Sequence, residues 1–209
     1  MIDLLQDGTD VGGGVVILAH GAGAPMDSGF MNDVAAGLAA QGLSVARFEF
    51  PYMAARRTGQ RRGPDRPEVL RSTWLDAIAQ LRAAGAPRIV IGGKSLGGRI
   101  ASLVADEAAV DGLLCLGYPF HPPGKPEQLR TKHLADLRTP ALVVQGERDP
   151  FGTRDDVAGY ALSPAIRVAW LPDGDHSFKP RKASGTTERA NVERAIALAA
   201  AFATEVLGG

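Results

Sequence analysis

The stretch from Ile89 to Ile100 constrains the fold of this chain more than any other. A short β-branched run passes into a helical pattern through one serine, Ser95, with Gly93 and Gly97 on either side in the arrangement G-x-S-x-G. A strand that enters a helix through so few residues needs a strained turn, and the small neighbours remove the crowding that a Cβ would cause. Such a turn holds a hydroxyl out beyond the end of the strand. Two glycines around a serine also arise by chance, so the weight of the pattern depends on the rest of the chain.

On both sides of that stretch, short apolar runs alternate with amphipathic ones. Val15 to Leu18, Ser44 to Phe50, Arg88 to Ile91, Leu113 to Leu116, Ala141 to Gln145 and Ile166 to Leu171 read as strands. Helical stripes are formed by Met31, Val34, Ala35, Leu38 and Ala39, then by Leu70, Trp74, Ala77, Ile78 and Leu81. Ile100, Leu103 and Val104 form a third, and Val192, Ile196, Ala199, Ala203 and Val206 a last one. From Ala54 to Arg66 periodicity is lost and five arginines face one aspartate, which predicts a long basic loop. Continuously apolar strands between amphipathic helices are what a parallel sheet covered on both faces requires. The expectation is an α/β fold: a doubly wound, mostly parallel sheet of about six strands in one domain over residues 1–209.

Composition removes several function classes. Lysine plus arginine (23) balance aspartate plus glutamate (23), so no net field draws in nucleic acid or an anionic membrane. Cys115 is the only cysteine and sits in an apolar run, which rules out an internal disulfide and reads as a buried small hydrophobe. The start carries Asp3, Asp7 and Asp10 and no long apolar core, unlike a signal peptide. The longest apolar run, Ala195 to Ala203, is far short of the ~20 residues that span a bilayer. A cytoplasmic location is expected, with a small molecule as partner and no nucleic acid or membrane; the oligomeric state is left open.

In open parallel sheets ligands bind beyond the carboxyl ends of the strands, and the loops rich in glycine and proline all follow strands. Those loops hold Ser95, then Asp149 in Gly146 to Pro150, then His176 after Pro172 to Asp175. A serine hydroxyl needs a base to take its proton, and the base needs an acid to hold its tautomer. The order Ser95, Asp149, His176 is that of the α/β-hydrolases. His20, His121 and His133 are rivals as base; His133 reads as surface, and His121 follows Phe120 in a loop that can border the pocket. Asp173 and Asp175 are weaker rivals for the acid. The backbone N–H of Leu96 and one from Gly21-Ala22-Gly23, at Ala22, are the candidate donors for an oxyanion. A phosphate-binding loop at Lys94-Ser95 would need glycine at position 88, which is Arg88, so that reading fails. The arginines between Arg56 and Arg66 read as a solvated loop first and as a hint of an anionic substrate second.

Several segments together resemble the α/β-hydrolase superfamily, and within it the small cap-less group similar to dienelactone hydrolases. They are His20 to Gly23, Phe50-Pro51-Tyr52, Gly93 to Arg99, Gly117 to Pro126, Gly146 to Phe151 and Asp175 to Phe178. The most similar subgroup consists of mostly uncharacterised bacterial proteins, with a testis-expressed protein and a chromatin acetyltransferase-complex subunit as eukaryotic relatives. The resemblance implies a Ser95, Asp149, His176 triad, an ester or related acyl substrate, no cofactor and no metal. Gly21, Gly23, Tyr52, Tyr118, Phe120 and His121 are the expected pocket residues. Serine stands where dienelactone hydrolases proper use cysteine, which argues against lactones as substrates. The two leading antiparallel strands of the larger fold are expected to be absent or reduced. The spacing between Leu116 and Ala141 leaves no room for the lid that many lipases insert. A non-catalytic scaffold that keeps the fold is the alternative reading.

Overall fold

The computed structural model describes residues 1–8 and 13–208; Asp10, one of the acidic residues near the start, lies outside the described residues. Strands β1 (Leu5–Asp7), β2 (Val15–Ala19), β3 (Ser44–Phe48), β4 (Ile89–Lys94), β5 (Gly112–Leu116), β6 (Ala141–Gly146) and β7 (Ile166–Leu171) form one sheet in the order β1-β3-β2-β4-β5-β6-β7. The six strands from β2 to β7 are parallel to their neighbours, and β1 alone is antiparallel, against β3. The helices are α1 (Gly29–Ala40), α2 (Pro51–Arg57), α3 (Pro67–Ala83), α4 (Leu96–Val104), α5 (Arg154–Ala158) and α6 (Glu188–Leu207).

The period of two along each strand divides the core. Val15, Ile17 and Ala19 of β2 join Trp74, Ile78, Ile100 and Phe48 in one cluster, while Val16 and Leu18 join Met31, Leu38, Ala199 and Phe202 in the other. The first cluster lies under α3 and α4, the second under α1 and α6, which is why both sides of each central strand are apolar. The predicted stripe of α3 is buried at every position, Leu70, Trp74, Ala77, Ile78 and Leu81. On α6 the buried face is Ala195, Ala199, Ala200, Phe202, Ala203 and Leu207, with Val192, Ile196 and Val206 only at its edge. Cys115 is buried, and burial pushes its thiol up.

One expectation is corrected, and the sheet of about six strands gains a short seventh. The basic segment is helical at its start: α2 takes Pro51 at its first position and buries Tyr52 and Met53, while Arg57 closes it by pairing with Glu49 at 2.7 Å and Asp27 at 2.8 Å. Fewer than two turns cannot display a helical period, so the sequence read as a loop. The seventh strand, β1, has no apolar run to announce it. It is held instead by its register, Leu5 opposite Arg47, and by the ion pair of buried Arg47 with Asp7 at 2.8 Å. Of the two leading antiparallel strands of the larger fold, the described residues keep this single short one.

From β2 the chain moves outward to β3, then returns across β2 to β4, so the strand order reverses between β2 and β4. The carboxyl ends of these two strands therefore diverge into a crevice, the place where a ligand meets the fewest crossing connections. Residues 117–140, between β5 and β6, form a loop with one short 3₁₀ turn, Lys132–Leu134, and no inserted cap. Among the described residues no helix is long and apolar enough to cross a membrane.

Candidate active site

At that crevice β4 ends in Lys94 and α4 begins at Leu96, so Ser95 alone makes the turn. Its backbone has φ 48° and ψ −108°, a region costly to any residue with a Cβ, on the order of 1–3 kcal/mol. What over-determines the turn is its surroundings. The Ser95 N–H donates to the Leu116 carbonyl at 3.1 Å, tying the elbow to β5. A Cβ at Gly93 or at Gly97 would run into the Ala19 carbonyl at the end of β2. From below, the Trp74 indole N–H donates to the Gly97 carbonyl at 3.3 Å.

The turn aims the Ser95 hydroxyl at the loop after β7. Ser95 Oγ lies 2.9 Å from His176 Nε2, and His176 Nδ1 lies 2.7 Å from Asp149 Oδ2. An ionised carboxylate can only accept, so the proton sits on Nδ1 and Nε2 is left free to accept the serine proton. Asp149 is fully buried, and every bond it accepts favours one orientation. Phe151 N–H donates to Oδ1 at 2.9 Å, and the Gln145 amide donates to Oδ2 at 2.9 Å. The Phe151 ring covers the imidazole with centroids 4.2 Å apart. Gln145 was not among the sequence candidates. Its signal in the sequence is a polar side chain closing the apolar run Ala141 to Val144, which the structure buries fully.

The rivals have other partners. Asp173 pairs with Arg148 at 2.8 Å and with Arg181 at 2.6 Å, and the Arg181 hydrogen bond holds its carboxyl down to about 2. Asp175 accepts from the backbone N–H groups of Ser177 and Lys179 at 2.8 and 3.0 Å, closing its own turn. His20 is fully buried: Phe50 N–H donates to its Nε2 at 3.2 Å, which puts the ring proton on Nδ1, donated to the Gly21 carbonyl at 2.7 Å. Burial lowers its pKa and keeps it neutral, so His20 shapes the glycine loop. His121 points away from Ser95, with Nδ1 2.9 Å from the Pro122 carbonyl and Nε2 3.8 Å from Asp156.

His133, expected at the surface, is instead half-buried with Nε2 2.8 Å from Ser102 Oγ. This second serine–histidine contact lacks a carboxylate on the imidazole among the described residues, and Ser102 is buried within α4. Burial, and then the charges of Arg99 and Arg71, hold the pKa of His133 down to about 4. Because the folded value lies below the ordinary one near 6.5, the unfolded chain takes up the proton first. The penalty is absent above about pH 6.5, grows as pH falls, and is complete below about 4. Urea midpoints taken at pH 7 and pH 4.5 should therefore fall further for the wild type than for His133→Gln.

Gly21, Ala22 and Gly23 face the elbow across the crevice, and with Ala24, Ser28, Phe30, Met31, Lys94, Ser95, Phe151, His176, Ser177 and Glu188 they line a cleft of about 470 Å³. Among the described residues neither Leu96 N–H nor Ala22 N–H has a protein acceptor, so both are free for an oxygen bound beside Ser95 Oγ. The aromatic part of the expected pocket is corrected. Tyr52, Tyr118, Phe120 and His121 do not line the cleft; they are buried struts. The Tyr52 hydroxyl donates to the Ala22 carbonyl at 3.2 Å, and burial pushes its pKa up to about 12. Tyr118 N–H donates to Gln145 Oε1 at 2.7 Å, and Phe120 packs against Gly152. The cleft wall is made instead by Phe30, Met31 and Phe151. Arg56 and Arg57 are committed elsewhere, Arg56 to the Arg62 carbonyl and the Tyr52 ring, Arg57 to Glu49 and Asp27.

Comparison with known proteins bears on the family and the fold. The alpha/beta hydrolase domain family matches residues 13–204. Among solved structures, an alpha-beta serine hydrolase homologue from Coxiella burnetii superposes with a TM-score of 0.73 at 16% identity, covering 96% of this chain and 90% of that one. A serine hydrolase without a lid from Xanthomonas campestris gives 0.70 at 16% identity, with 99% and 88% covered. A dienelactone hydrolase from Anabaena variabilis gives 0.64 at 23% identity, with 92% and 84% covered. At these identities the likeness is one of fold.

Proposed function

The chain belongs to the alpha/beta hydrolase domain family, and on that premise we propose that it is a serine hydrolase cleaving a small carboxylic ester or related acyl compound. The observation that carries the reading is the hydrogen-bonded chain Ser95–His176–Asp149 at a strained elbow. In the reaction, Ser95 Oγ attacks the acyl carbonyl as its proton passes to His176 Nε2, and Asp149 stabilises the imidazolium. The oxyanion is held by the N–H groups of Leu96 and Ala22; losing one such donor typically costs about 100-fold or more in turnover. The imidazolium then protonates the leaving oxygen, the C–O bond breaks, and the acyl group stays on Ser95. Water, deprotonated by the same imidazole, attacks the acyl-enzyme and releases the acid with Ser95 restored. The activity is assigned to one domain over residues 1–209, and Gly117 to Pro126 supports its place in the dienelactone-hydrolase-like subgroup.

An open cleft walled by Ala22, Ala24, Phe30, Met31 and Phe151 suits a short acyl group that does not wait for a lid. With p-nitrophenyl esters, acetate and butyrate should be turned over and palmitate scarcely. Activation of triglyceride hydrolysis at an oil interface would contradict the open cleft. Ser95→Ala should abolish turnover with an unchanged far-UV spectrum; unchanged activity would overturn the assignment. A scaffold without chemistry has less support, because it gives Asp149 and Gln145 no reason to be buried and oriented on His176.

A further inference from the structure

Lys94, the residue before the nucleophile, carries a charge that neither the sheet nor the reaction at Ser95 requires. It is half-buried and lines the cleft. Its ammonium is committed to the histidine loop: Nζ donates to the His176 backbone carbonyl at 2.5 Å and lies over the rings of Phe178 and Phe30, 5.4 and 5.7 Å from their centroids. A Cβ at Gly117 would sit 2.6 Å from this Nζ and 3.4 Å from His176 Cε1, so glycine is needed there for both to come so close. Among the described residues no carboxylate pairs with Lys94, and burial pushes its ammonium down to about 8 against the raising charges of Asp149 and Asp175. A methionine would fill the same space without the cost of burying a charge. What the charge adds is a strong, directed bond to one carbonyl, supported by two aromatic faces.

The loop that receives this bond is strained on both sides of the base. Asp173 has φ 50° and Phe178 has φ 68°, conformations that persist in residues with a Cβ only where the surroundings over-determine them. Asn191, buried on α6, holds the two ends, its amide donating to the Pro172 carbonyl at 3.0 Å and to the Phe178 carbonyl at 2.9 Å. Between those ends, Lys94 holds the carbonyl of His176 itself. Lys94 directly precedes Ser95, so one side chain ties the backbone of the base to the backbone of the nucleophile. Asp149 fixes the tilt of the imidazole through Nδ1, and Lys94 fixes where the residue that carries it stands.

We propose that Lys94 is a positioning residue for the base: its ammonium, held between Phe30 and Phe178, fixes the His176 backbone so that the imidazole stays in line between Ser95 and Asp149. This role presupposes the triad proposed above. Lys94 acts through His176 and does not itself touch the acyl group.

The test compares the full chain with Lys94→Met, which keeps the stem and removes the ammonium, by kinetics on p-nitrophenyl butyrate at pH 7 and by proton NMR. Lys94→Met should lower kcat by roughly 10- to 100-fold, the scale of a misplacement of about 1 Å. KM should change by less than about twofold, the mark of a contact that acts on the transition state. In the NMR spectrum the Nδ1 proton shared by His176 and Asp149 should give a signal far downfield in the wild type, assigned by its absence in His176→Ala. It should be shifted or lost in folded Lys94→Met and unchanged in Lys182→Met, an exposed lysine. A lower melting temperature with kcat and the proton signal both unchanged would make Lys94 a packing residue and overturn the proposal. A raised KM at unchanged kcat would make it a substrate contact and overturn it equally. Should the wild type turn over no ester, the esterase reading fails by itself, while the proton signal still decides whether Lys94 positions His176. Lys94→Gln, whose polar head is too short to reach the carbonyl, provides the same readings if Lys94→Met does not fold.

Discussion

Replacing Ser95 with glycine should yield a protein that is more stable than the wild type and inactive. The stability gain comes from the backbone: at φ 48° and ψ −108° a residue with a Cβ stores on the order of 1–3 kcal/mol that glycine does not. The greater freedom of glycine in the unfolded chain returns roughly 0.5–1 kcal/mol of that. A net gain of about 1 kcal/mol is expected, read as a higher urea midpoint at unchanged slope. Ser95→Ala keeps the Cβ and the strain, so its midpoint should stay near that of the wild type, and the difference between the two variants isolates the strain. Both lack the nucleophile, and ester turnover should fall by about a million-fold, the scale seen when a serine nucleophile is removed.

Asp149→Asn should lower turnover by about 10⁴-fold while changing the shape of the site very little, the scale known for this substitution in other triads. The reason lies in the donors around the carboxylate. Asp149 Oδ1 accepts from Phe151 N–H, and Oδ2 accepts from both Gln145 and His176. An asparagine amide turned toward Oδ1 would set its donor against the Phe151 N–H. Turned toward Oδ2 it meets the Gln145 amide and donates to His176 Nδ1, which moves the ring proton to Nε2. That nitrogen then cannot accept from Ser95. Steady-state kinetics on p-nitrophenyl butyrate, with a melting curve to exclude unfolding, measures the effect; a loss of less than tenfold would place the acid elsewhere.

Strands β2 to β7 and helices α1, α3, α4 and α6 were legible in the sequence because both faces of this sheet are buried. Continuous apolar runs and helical stripes are then the only patterns that fit, and Trp74, Val16 and Met31 lie where those patterns put them. The meeting of Ser95, Asp149 and His176 was legible for a related reason, since each follows a strand of one parallel sheet and strand ends converge. What a pattern does not carry is the direction of a side chain within a loop. Tyr118 and Phe120, in the loop after β5, and Tyr52, at the start of α2, turn inward as struts, while Phe30, in the first turn of α1, and Met31, on its stripe, reach the cleft. Gln145 was missed because it sits in a strand, where attention goes to apolar neighbours. The strand β1 and helix α2 were missed because three residues and seven residues hold too little of any period.

The central claim is that Ser95 is an activated nucleophile, and labelling with a fluorophosphonate tests it most directly. Folded wild-type protein should take up one equivalent, on the peptide carrying Ser95. The reaction should slow sharply in His176→Ala and vanish in urea. Folded wild type that stays unlabelled, or a label on another residue such as Ser102, would contradict the account.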